Sequence, residues 1–145
     1  MKSLFLAAAT ACTLAGAAFA DDHKADLVTV IASADAQSQL MGMVLTMQAV
    51  QQGATAHILL CGPAADIALK DAPASATAPQ PPQGMSPRGL MQAIIEKTPT
   101  KAEVCAIYLP GKGLDASALI EGVTPAKPDE MAKRLLGENT RILSF

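Results

Sequence analysis

Apolar and polar positions alternate along this chain in blocks that change period. Leu27-Val28-Thr29-Val30-Ile31-Ala32 is a β-branched run, almost wholly apolar, as expected of a strand covered on both faces. Ser33-Ala34-Asp35 offers an N-cap, and a helix to about Gln52 follows. Leu40, Met41, Val44, Leu45, Met47 and Val50 recur in it at helical spacing and predict its inward face. Gly53 fits the position just past the helix end. Ala54 to Leu60 reads as a second strand, closing at Cys61-Gly62-Pro63. This strand–helix–strand unit has the size of a right-handed βαβ crossover.

Ala64 to Lys70 predicts a short helix. Asp71 to Gly84, with Pro73, Pro79, Pro81 and Pro82, predicts a surface loop on the carboxyl side of the sheet, placed to cover a crevice there. Ser86-Pro87 is a cap followed by proline at the first helical position, so a helix over 87–97 is expected, with Leu90, Met91, Ile94 and Ile95 inward. Ala102 to Tyr108 reads as the central strand. Ala116 to Val123 is short and turns from helix into strand. Lys127-Pro128-Asp129-Glu130 starts a last helix whose early acids and late Lys133 and Arg134 suit the helix dipole. Thr140 to Phe145 closes the chain as a strand. The order of elements predicts a three-layer α/β/α sandwich with a mainly parallel sheet of about five strands.

Composition changes the picture at the beginning of the chain. Lys2, the small-apolar stretch Leu4 to Ala18 and the Ala18-Phe19-Ala20 pattern before Asp21-Asp22 read as a signal peptide over 1–20. The expected mature domain is 21–145, periplasmic or secreted, with no membrane attachment after cleavage. Without Lys2, ten basic and thirteen acidic residues remain, with no basic stripe and no tryptophan, which argues against nucleic acid as a partner. Export places Cys61 and Cys105 where disulfides persist.

Candidate chemistry centres on Glu103 to Gly113, where an apolar run meets the Pro110-Gly111-Lys112-Gly113 turn signal. Loops beyond the carboxyl ends of parallel strands form the usual ligand crevice, so Cys105 is the candidate reactive atom. Its thiolate needs a nearby cation. Lys112, on the following loop with Gly113, and Arg88, at the start of helix 87–97, are the candidates. The plainer reading of Cys105 is a small buried hydrophobe. Cys61 is a possible second thiol at an equivalent strand end. A disulfide needs Cα atoms within about 7 Å, which adjacent strands satisfy and separated ones do not. Two unlinked core cysteines are the plainer expectation. His57 has no second ligand at metal-binding spacing, and Met41, Met43 and Met47 are better core filler than copper ligands. No metal and no cofactor are expected.

With these residues in view, the chain resembles the DsrE/DsrF-like family, which includes sulfur-relay proteins. The resemblance rests on the opening strand, the Ala/Met-rich helix ending at Gly53, the strand after it, and the closing pattern Leu119-Ile120-Glu121-Gly122-Val123 … Arg141-Ile142-Leu143-Ser144-Phe145. Sulfur-carrying members have a cysteine after the third main strand followed by an Arg-Gly pair. Here Lys112-Gly113 follows Cys105 seven residues on. Lysine replaces arginine, and Tyr108-Leu109-Pro110 interrupts a stretch that is usually small or polar. The resemblance implies persulfide carriage or a thiol relay through Cys105, a sulfur or thiol relay protein as partner, and homo-oligomers, trimers or hexamers. The alternative is a non-catalytic oligomeric module that binds a small ligand or a protein in the same crevice.

Overall fold

The computed structural model describes residues 24–145. The leader expected over 1–20 lies outside them. Five strands, β1 (Asp26–Ile31), β2 (Thr55–Leu60), β3 (Lys101–Val104), β4 (Val123–Pro125) and β5 (Thr140–Ser144), form one sheet in the order β4-β3-β2-β1-β5. Every pair is parallel. Parallel neighbours need a crossover connection, and the intervening helices supply it: α1 (Ala36–Gln51), α2 (Pro87–Lys97), the single turn α3 (Tyr108–Gly111) and α4 (Pro128–Leu135). Helices on both sides complete the three-layer sandwich. No helix among the described residues is long and apolar enough to cross a membrane.

One face of the sheet carries the larger core. Ile31, Ile58, Leu60, Ala102 and Val104 meet Met43 of α1 and Leu90, Met91 and Ile94 of α2 there. Ser86 caps α2 by accepting from the Gly89 N–H, and Pro87 opens it, as its sequence predicts. On the opposite face α4 lays Met131 and Leu135 over Val28, Val30, Leu59, Cys61 and Cys105.

Two expectations are corrected. The first is the inward face of α1. Asp35 caps the helix through the Ser38 N–H at 2.8 Å, as expected, but the buried positions are Gln39, Gly42, Met43 and Thr46. Met41 and Leu45 stand outside, 49% and 40% exposed, while Leu40, Val44 and Met47 pack at the margin of the core. The polar side chains go inward because each finds a partner. Gln39 donates to the Ser33 carbonyl, Thr46 donates to the Gly42 carbonyl, and the Thr29 and Thr46 hydroxyls meet at 2.7 Å. Buried polar groups so paired carry little penalty. Gly42 lets the helix approach the sheet: a Cβ there would lie 2.8 Å from Ile31 Cδ1.

The second correction concerns the central strand, expected to continue to Tyr108. It ends at Val104, and Ala106 and Ile107 turn the chain into α3. The apolar run looks strand-like because Tyr108 and Leu109 are buried, yet they are buried from a helical turn. The short helix expected over Ala64 to Lys70 is a 3-10 helix spanning Gly62–Ala68.

Candidate functional site

Cys61 and Cys105 each sit one residue beyond a strand, on neighbouring strands. The register pairs Leu60 with Val104, and the ladder runs one step further on each side. Cys61 N–H donates to the Ile31 carbonyl at 2.9 Å, Cys105 N–H to the Leu60 carbonyl at 2.8 Å, and Ala126 N–H to the Val104 carbonyl at 2.8 Å. Backbone pairing thus sets the two cysteines side by side at the carboxyl edge. Their Cα atoms are 5.0 Å apart, and the side chains are joined as a disulfide, a separation usual for such bonds. The expectation of unlinked cysteines is corrected by the strand order, which makes β2 and β3 neighbours. Both residues are half-buried, so the sulfurs lie at the edge of the α4-side cluster and not deep in the core.

The two cations expected beside Cys105 have other partners. Lys112 Nζ lies 2.6 Å from Asp66 Oδ1 and 5.4 Å from the centroid of the Tyr108 ring. The Tyr108 hydroxyl donates to the same carboxylate oxygen at 2.5 Å. Burial raises the Tyr108 pKa above its ordinary value, and the Asp66 carboxylate adds to the rise. Burial alone would raise Asp66, but hydrogen bonds from Lys112 and Tyr108 outweigh it and hold the carboxyl below the usual carboxylate range. Asp66 follows Cys61, and Tyr108 and Lys112 follow Cys105. The cluster therefore clamps together the two loops that leave the two cysteines.

Arg88, in the first turn of α2, donates through Nε to the Ile67 carbonyl at 2.7 Å and through a terminal nitrogen to the Leu69 carbonyl. It pins the loop after Cys61 from the other side of the sheet. Gly113 closes the turn after α3 with φ +67°, a left-handed conformation that suits glycine. Ile107, two residues past Cys105, is 82% exposed.

The proline-rich segment does not cover the cysteines. Pro81, Pro82 and Met85 face Leu40, Met41 and Val44 of α1 across a groove of about 350 Å³, on the face of the sheet opposite the sulfurs. Met41 and Met43 point to different sides of α1, one exposed and one buried, so the thioethers do not converge on a common centre.

One buried pair was not anticipated. His57 Nε2 and Glu103 Oε2 are 2.6 Å apart on the α4 side of the sheet. Burial lowers the His57 pKa, and the attraction of Glu103 only partly offsets it. Strand alternation puts Glu103 on the same face as Cys105, and its histidine partner emerges only with the β2–β3 register.

No family model matches the chain, and no curated protein does. Two solved structures resemble it closely in shape. The ychN protein of E. coli is 19% identical with a TM-score of 0.65, over 83% of this chain and 99% of that one. MTH1491 of Methanobacterium thermoautotrophicum, a protein of unknown function, is 13% identical with a TM-score of 0.61, over 84% and 100%. The likeness is one of fold, and the fold is the DsrE/DsrF-like one.

Proposed function

We propose that this chain is an exported DsrE-like protein that handles thiol or sulfur chemistry at the carboxyl edge of its sheet, with Cys105 as the reacting thiol and Cys61 as its partner. The observation that carries the reading is the placement of both cysteines at adjacent strand ends, half-buried and bonded. Such a pair is a two-electron couple. An external thiolate attacks one sulfur, forms a mixed disulfide and releases the other cysteine as thiolate; a second external thiolate completes the exchange. The protein is then reduced to a dithiol and two external thiols are joined as a disulfide. The reverse sequence reduces an external disulfide.

The same pair accommodates sulfane sulfur. A Cys105 persulfide attacked by the Cys61 thiolate would close the intramolecular disulfide and release hydrosulfide, with no further reactant. Persulfide carriage without release fits less well, because Lys112 and Arg88, the cations expected to hold the anion, are bound to Asp66 and to backbone carbonyls. An oxidising compartment, periplasmic or outside the cell, suits a disulfide of this kind. A sulfur or thiol relay protein is the natural partner.

A second reading has an observation of its own. The outward stripe of α1 carries no charge, and its groove against the proline-rich loop is lined by Leu40, Met41, Val44, Pro81, Pro82 and Met85 together with three glutamines, a mainly apolar surface of the kind a homo-oligomer or a ligand would cover. That favours the non-catalytic module, with the cysteines as a structural staple. Thiol reactivity separates the two. In a Cys61→Ser variant treated with glutathione disulfide, intact-mass spectrometry should find one glutathione on Cys105, removable by a second thiol. A Cys105 that stays unmodified while the protein remains folded would sink the thiol reading and leave the binding module.

A further inference from the structure

The His57–Glu103 pair has no part in the exchange just described, yet it lies against it. Alternate residues along a strand face the same way. On β2, His57, Leu59 and Cys61 therefore share the α4 face, and on β3 Glu103 and Cys105 share it too, since Leu59 pairs with Glu103 and Leu60 with Val104. Glu103 sits one side-chain step from Cys105, about 7 Å along the strand. His57 is 3% exposed, and the Glu103 side chain 17%, so water screens this carboxylate poorly.

Two of the other cations on this face are paired, and Lys127 also lies near enough to Glu103 for the two to attract. From α4, Arg134 pairs with Asp26 of β1 at 3.0 Å, and Lys127, at its start, pairs with Glu130 at 2.7 Å. Asp129 lies in the first turn of the same helix. Lys101 of β3 is exposed at the far end of the strand, and β4 contributes the uncharged Thr124 opposite Glu103. His57 Nε2, 2.6 Å from Glu103 Oε2, fixes the carboxylate on this face.

From this placement we propose that Glu103, held in position by His57, is the positioning residue that restrains the thiol pair: its charge opposes formation of the Cys105 thiolate and so slows attack by that sulfur. The proposal rests on the thiol reading above. A unit charge at such a distance, in surroundings intermediate between water and a dry interior, changes a thiolate fraction by about tenfold. The expectation is thus a thiol held back by its own strand.

The test is the pH profile of Cys105 alkylation by iodoacetamide in the reduced Cys61→Ser protein, which leaves one thiol on the pair. Adding Glu103→Gln keeps a hydrogen-bonding side chain beside His57 and removes the charge. The midpoint should fall by about one pH unit, with alkylation near neutrality about tenfold faster. Thr124→Lys, on an exposed position of an edge strand, places a cation beside Glu103 and should move the midpoint the same way, so the question is answered even if Glu103→Gln does not fold. His57→Gln, which leaves the carboxylate charged, should hold the midpoint within a few tenths. An unmoved midpoint in the folded charge variants, with only the melting temperature lowered, would show a purely structural staple and overturn the proposal. Iodoacetamide needs no biological partner, so an absent glutathione adduct and an unmoved profile are separate failures.

Discussion

Reduction of the Cys61–Cys105 disulfide should lower the stability of the folded domain by about 4 kcal/mol. The bond closes a loop spanning 44 positions, and restricting a loop of that length in the unfolded chain is worth about this much. For a domain of this size the loss corresponds to a fall in melting temperature of roughly 10 °C or more. Thermal melts with and without a phosphine reductant, and of the Cys61→Ser variant, measure it. The backbone ladder and the Asp66 clamp tie the same loops by other means, so the reduced protein is expected to remain folded. A reduced protein as stable as the oxidised one would show that the unfolded chain gains no freedom at this site.

The second large effect belongs to the core. Ile58→Ala should cost about 3–4 kcal/mol, within the range for buried isoleucine truncations. Ile58 is fully buried on β2, with strands on both sides. Its register neighbours are Thr29 and Ala102, and the small Ala102 leaves Ile58 to fill the space under α1 and α2. A helix pinned at both ends cannot collapse far into the resulting cavity. Urea unfolding with an unchanged slope would report the loss directly. Ile58 faces α1 and α2 whereas the cysteines face α4, so the two losses should add when combined. Together they approach the whole stability of a typical domain, and the reduced Ile58→Ala protein should be the least stable of the set, with its melting temperature below that of either single change.

How much of this was legible in the chain depended on whether the signal was local. The apolar runs at 27–32 and 54–60 locate β1 and β2 because a doubly covered parallel strand must be apolar throughout. Ser86-Pro87 and Asp35 locate helix starts because capping is chemistry between near neighbours. The carboxyl-edge position of Cys105 followed from topology alone. What sequence did not carry was anything that depends on strand order. Whether Cys61 and Cys105 meet, and whether His57 finds Glu103, turns on β2 and β3 being neighbours, and no local pattern states that.

The inward face of α1 failed for a different reason. Apolar periodicity assumes that the greasier side faces the core. Here Gln39 and Thr46 go inward because backbone carbonyls and Thr29 satisfy them, and Gly42 goes inward because only a residue without a side chain fits over Ile31. Lys112 illustrates a third limit. Its position after Cys105 suggested an anion partner for sulfur, but Asp66, 46 residues earlier, competes for it. A candidate cation is only as available as the carboxylates the fold brings to it.

The most direct test of the proposed thiol centre is a redox titration of the chain from residue 21 to 145 in dithiothreitol or glutathione buffers, with free thiols counted by alkylation and intact mass. A working couple should pass cooperatively from no free thiol to two, on Cys61 and Cys105, at a midpoint above about −300 mV while the fold persists. A disulfide that yields only below that range, or only as the protein unfolds, would be a structural staple and would contradict the function proposed for it.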